Sequence, residues 1–170
     1  MVAMGAFAQG TVNFNNRVLP NINAPVFVRD GVTKATGPVF VAQLLAGTSP
    51  ATLAPVGSPV AFKPAGILAG YFAAPTALTI PGIPLSGPAT VQVVAWDSTL
   101  FPDYASAKAA FNVGESAVII LAKTGNPNDP TVLPANLDGL TSFTIFMSPE
   151  PSTIALAFVG GLGLLAFRRR

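Results

Sequence analysis

The sequence contains no cysteine and no histidine. These absences exclude histidine-based triads, thiol nucleophiles, zinc centres of the Cys/His type and haem held by either residue. No disulfide can form, so cysteine usage carries no sign of an oxidising compartment, although it is compatible with export. Charge is scarce too: 9% of the residues are Asp, Glu, Lys or Arg, against roughly 25% in an ordinary soluble domain. The carboxylates are seven: Asp30, Asp97, Asp103, Glu115, Asp129, Asp138 and Glu150. Any enzyme would have to be assembled from these, from four lysines, two tyrosines and hydroxyls. The chain therefore reads as non-enzymatic, with no cofactor and no metal.

The formal net charge is +2, but three of the nine positive residues are Arg168, Arg169 and Arg170. Without them six positive residues face seven negative ones, a net charge of −1. The basic isoelectric point thus belongs to the terminus. The body lacks the clustered Lys and Arg of a nucleic-acid surface, and no nucleic-acid partner is expected.

What is present is apolar. Hydrophobic residues make up 51% of the 170, too many for a disordered chain. The length fits about one domain. Sixteen glycines and 17 prolines argue against a helical bundle, because Pro breaks helix interiors and Gly weakens them. No repeat of fixed period stands out.

Both ends read as addresses. Residues 1–8 are short, apolar and end Ala6-Phe7-Ala8, the small-x-small pattern that a signal peptidase accepts, with cleavage expected before Gln9. No Lys or Arg precedes Arg17. The expectation is the tail end of a signal peptide whose start is missing.

At the other end, residues 149–170 contain three consecutive parts. Pro149-Glu150-Pro151 comes first, an apolar run over 154–167 follows, and Arg168, Arg169 and Arg170 close the chain. Ile154, Leu156, Phe158, Leu162, Leu164, Leu165 and Phe167 give the run its hydrophobic bulk, and no charge occurs from Ser152 to Phe167. As a helix the run would rise about 21 Å at ~1.5 Å per residue, short of the ~30 Å hydrocarbon core. Snorkelling and local bilayer thinning can absorb that shortfall. The arginines would remain cytoplasmic as a stop-transfer signal, placing the body on the opposite side.

This ordered triple resembles the PEP-CTERM sorting signal of Gram-negative bacteria. The residue before the motif is Ser148, where that family more often has Val. The resemblance covers about 22 residues and leaves the fold of the body open. It implies export, transient anchoring in the inner membrane and cleavage near the motif by an exosortase, an integral-membrane enzyme. It also implies a setting of exopolysaccharide-producing bacteria, and final residence at the cell surface or outside the cell.

The body, residues 9–147, reads as all-β. Residues 10–15 alternate, with Val12 and Phe14 on one side. Residues 25–28 and 39–45 are β-rich runs bounded by Gly or Pro. Residues 89–97 are the clearest strand: Val91, Val93 and Ala95 share one face, Gln92, Val94 and Trp96 the other. Residues 117–122 suit a central strand, and 142–147 alternate again. Between Ala46 and Pro88 the density of proline predicts only loops and short edge strands, over 60–62 and 77–80. One short helix is predicted over 103–111, with Asp103 as its cap. The expected architecture is a β-sandwich, immunoglobulin-like or jelly-roll, with one helical insert. The sorting signal follows over 148–170.

Four groups in the body are candidate sites. Asp97 and Asp103 flank a loop and would suit glycosidase chemistry at a separation of ~5–9 Å; the competing roles are turn former and helix cap. Trp96 would stack on a sugar if exposed and pack as core if buried. The loop 124–130 offers Asn126, Asn128 and Asp129 to a calcium ion, or simply forms a turn. Asn13, Asn15 and Asn16 would bind sugar or sit as solvated amides. The reading is a non-enzymatic surface or matrix protein. A carbohydrate-binding module for exopolysaccharide is the alternative, and a small Asp/Glu hydrolase the third.

Overall fold

The computed structural model describes residues 9–146. The readings on residues 1–8 and 148–170, Ala6, Ala8 and the whole sorting signal among them, lie outside the described residues.

The body is all-β, with nine strands, one six-residue helix and one 3-10 turn among the described residues. The strands are β1 (Gln9–Val12), β2 (Arg17–Val18), β3 (Ile22–Asn23), β4 (Phe40–Gly47), β5 (Ala54–Ala61), β6 (Leu78–Pro84), β7 (Ala89–Asp97), β8 (Val113–Glu115) and β9 (Ile119–Leu121). The helix α1 (Tyr104–Ala109) lies between β7 and β8.

β7 organises the molecule. It pairs antiparallel with β4 along its length, from Phe40↔Asp97 to Gly47↔Thr90. On its other edge it pairs with β8 at Val94–Trp96 and with β9 at Ala89–Val91, so two short strands share one side. β5 closes the far side of β4. A second, two-stranded sheet joins β1 to β6, and β2 pairs with β3.

Period-two alternation decides which side chains meet. Ala42, Leu44 and Ala46 of β4 stand opposite Ala95, Val93 and Val91 of β7. This face joins Val12, Phe14, Ile80 and Ile83 in the main core. The opposite face carries Leu45, Val94 and Trp96, which pack with Ala107 of α1 in a smaller core. β7 is therefore covered on both faces, which explains its nearly continuous apolar sequence.

The proline-rich middle departs from expectation. β5 and β6 are eight and seven residues long and include Pro55, Pro59, Pro81 and Pro84. β5 is an edge strand, and β6 has one paired neighbour, so a missing N–H interrupts a ladder on at most one side. Pro59 also falls where the register shifts between Ala42 and Leu44, and Pro81 where it shifts between Gln9 and Thr11. Bulges at these points leave residues unpaired, where proline costs no ladder bond. Two expected strands, 25–28 and 142–147 (of which 142–146 are described), form no strand among the described residues. Residues 25–28 and 142–146 meet through isolated bridges instead, with Phe27 bridging both Lys34 and Thr144.

Asn16 ties distant segments together. It is fully buried. Its Nδ2 donates to Ala24 O at 2.7 Å and Gly70 O at 2.9 Å, and its Oδ1 accepts the Phe72 N–H at 2.8 Å. The amide thereby satisfies backbone groups that burial would otherwise leave unpaired.

Candidate functional site

Trp96 lies in the smaller core with no exposed ring face. Its indole N–H donates to Phe101 O at 3.0 Å, and its ring sits 6.4 Å from that of Tyr104. The position is that of a core tryptophan whose polar edge is satisfied locally. A stacking surface for sugar would need an exposed ring, which Trp96 does not offer here.

The two carboxylates of the glycosidase reading are each occupied. Asp97 Oδ1 accepts from the N–H and the hydroxyl of Thr99. Asp103 is the N-cap of α1, accepting the Ser106 N–H at 2.8 Å. That backbone hydrogen bond, with a further contribution from the Ser106 side chain, holds the Asp103 carboxyl below its usual value. Both residues take the turn and cap roles.

The loop 124–130 folds on itself. Asn126 Oδ1 accepts the Asn128 N–H, and Asp129 Oδ1 accepts the hydroxyl and the N–H of Thr131. Those Thr131 hydrogen bonds hold the Asp129 carboxyl low. Among the described residues no group of three or more Asp or Glu stands close enough to hold a metal ion. Of the amide trio, Asn13 donates to Asn136 Oδ1 and Asn15 accepts from the Arg17 N–H. Asn16 corrects the expectation of a solvated amide, since it is a buried structural residue.

A cluster that the sequence reading missed lies on α1 and β8. Lys108 Nζ is 2.9 Å from Glu115 Oε1 and donates to Tyr104 Oη at 2.9 Å. The Tyr104 hydroxyl donates to the same Glu115 oxygen at 2.5 Å. Tyr104 and Lys108 are four apart on one helix, a spacing that brings side chains together. That part was available in the sequence. Glu115 comes from the next element, and only the fold brings it in.

The electrostatics of this cluster are static. Burial raises Glu115, but the hydrogen bonds from Tyr104 and Lys108 and the ammonium charge outweigh it, leaving the carboxyl below its ordinary value. Hydrogen bonds to Tyr104 and Glu115 push Lys108 above its ordinary range. Burial, then the Glu115 contact, raises Tyr104. At neutral pH the cluster is an ammonium, a carboxylate and a neutral phenol. Shifts in these directions poise none of the three to exchange a proton near pH 7.

Beside the cluster is a shallow depression of about 440 Å³, lined by Lys108, Phe111, Val113, Glu115 and Phe146. Phe111 and Phe146 are 77% and 64% exposed. A second depression, about 550 Å³ and bounded by Val28 and Phe40, carries Arg29, Asp30 and Lys34. Asp30 there is a turn former, bonded to the Thr33 hydroxyl and to the N–H groups of Val32 and Thr33.

Comparison with protein families places a PEP-CTERM protein-sorting motif at residues 149–170, at the C-terminus. The matched residues contain Pro149, Glu150, Pro151 and the three terminal arginines. The match supports an exported, exosortase-sorted protein. No curated protein and no solved structure matches the chain. Among the described residues no helix is long and apolar enough to cross a membrane, and the apolar run 154–167 lies outside them.

Proposed function

We propose that this chain is a non-enzymatic cell-surface or extracellular-matrix protein, carried to the membrane by its C-terminal signal and released by an exosortase. The observation that carries this reading is the sorting-motif match at the extreme C-terminus. The run 154–167 acts as the temporary anchor in the inner membrane. Arg168, Arg169 and Arg170 stop transfer, because each costs ~2.5–3.5 kcal/mol at mid-membrane on insertion scales. The body is a scaffold of the β-sandwich kind, a reading supported by the β1–β6 sheet sharing its core with one face of the larger sheet.

The burial of Trp96 and the local roles of Asp97 and Asp103 favour a scaffold over a sugar-binding module or a hydrolase. The test uses the full chain in a host that makes an exosortase. Glu150→Ala, outside the apolar run, is expected to insert normally and remain uncut. Replacing Arg168, Arg169 and Arg170 with Gln is expected to weaken retention and let the chain pass through. Wild-type size and wild-type membrane fraction for both variants would overturn the reading.

A further inference from the structure

The end of α1 contains a residue that neither local geometry nor burial asks for. After the helix, the Phe111 N–H donates to Lys108 O and the Asn112 N–H donates to Ala107 O at 2.9 Å. This double closure is a Schellman motif, and its left-handed position is usually glycine. Here that position is Phe111, with φ +56°, in a region that a bulky side chain rarely adopts. The ring is 77% exposed. Glycine would suit the backbone and a polar residue would suit water, yet the chain has phenylalanine. A backbone outlier of this kind points to function.

Phe111 has a companion. Phe146 is 64% exposed and lines the same depression, together with Val113 and the Lys108–Glu115 pair. The Phe146 N–H donates to Val113 O at 3.4 Å, which ties the segment to β8. Two phenyl rings with charged groups beside them form a small amphipathic face.

The position of this face along the chain selects its partner. Phe146 is the last described residue, and the apolar run begins at residue 154. Eight residues reach at most about 26–29 Å at ~3.3–3.6 Å each. We infer that the face carrying Phe111 and Phe146 docks on the phospholipid surface into which the tail is inserted. The inference rests on the anchoring reading above. A tether this short keeps the face at high effective concentration beside the bilayer, so a weak apolar contact suffices.

The test uses the full chain in vesicles of phosphatidylcholine and phosphatidylglycerol, with the photocrosslinker p-benzoylphenylalanine in place of Phe111 or Phe146. Ile67, which is 89% exposed and outside the depression, serves as the reference site. Lipid adducts are expected at 111 and 146, severalfold above those at 67. In a second arm, Phe111→Gly with the probe at 146 should lower adduct yield severalfold, while the urea midpoint stays unchanged or rises. That arm separates lost docking from lost folding. A chain that floats with the vesicles but gives no excess of lipid adducts at 111 overturns the docking face and leaves the anchor standing. A chain that does not float overturns both. Adducts between protein chains in place of lipid adducts would make the face a self-association surface and overturn the proposal.

Discussion

The side chain of Asn16 closes a hydrogen bond with the backbone of Phe72, 56 residues away, at 2.8 Å. It also holds Ala24 O and Gly70 O. Three separate stretches of chain are thereby fixed to one amide. Gly70 O keeps a second donor in the Val26 N–H, so loss of the side chain orphans chiefly Ala24 O and the Phe72 N–H. Each buried orphan costs ~1–3 kcal/mol. Asn16→Ala is therefore expected to lower stability by roughly 2–6 kcal/mol. Urea unfolding of the purified chain reads the change, and a midpoint equal to wild type would contradict it.

Trp96 is the single tryptophan and one of the largest fully buried side chains. Its emission should be blue-shifted in the folded protein, poorly quenched by acrylamide and unmoved by added oligosaccharides. Trp96→Ala removes the centre of the smaller core and should cost about 3–5 kcal/mol. A normal urea midpoint for Trp96→Ala, together with emission that responds to sugar, would reverse the assignment to core.

The folded-state pKa of Glu115 lies below its ordinary value near 4.5. A depressed carboxylate stabilises the folded state above its unfolded pKa, and that contribution fades as pH falls through the folded value. Side chains in the Lys108–Glu115 pair are 58% and 33% exposed, so solvent screening limits the pair to at most about 1 kcal/mol. Glu115→Gln should therefore cost less than about 1 kcal/mol at neutral pH. The gap from wild type should close as pH falls from the ordinary value near 4.5 through the lower folded-state value. Urea midpoints across acid pH check both the size and the sign, and a gap that widens toward acid would contradict the assignment.

Local signals were legible where one chemical cause dominates. The alternation from Ala89 to Asp97 matches β7 residue for residue, because an apolar run flanked by turn formers has few other uses. Asp103 caps α1 as its position before an alanine-rich stretch predicts. The proline-rich middle was legible as short edge strands over 60–62 and 77–80 but not in extent, because β5 and β6 run to eight and seven residues and only the assembled sheet shows where bulges absorb Pro59 and Pro81. Asn16 gave no local signal, since its three partners lie 8, 54 and 56 residues away. Two of the three residues in the Tyr104–Lys108–Glu115 cluster could have been found from helical spacing. Its carboxylate needed the return of the chain through β8.

The prolines of β5 matter to neighbours as well as to the fold. A protein gathered on a membrane or in a surface layer meets its own copies at high density, and an open strand edge is a template for joining them into fibrils. β5 is such an edge. Gly57, with φ +67°, and the register shift opposite Gln43 break its row of donors and acceptors, and Pro55 and Pro59 each remove a donor. The edge is blunted against strand addition, so under the proposed surface location crowded copies would stay separate bodies even though half of their sequence is hydrophobic.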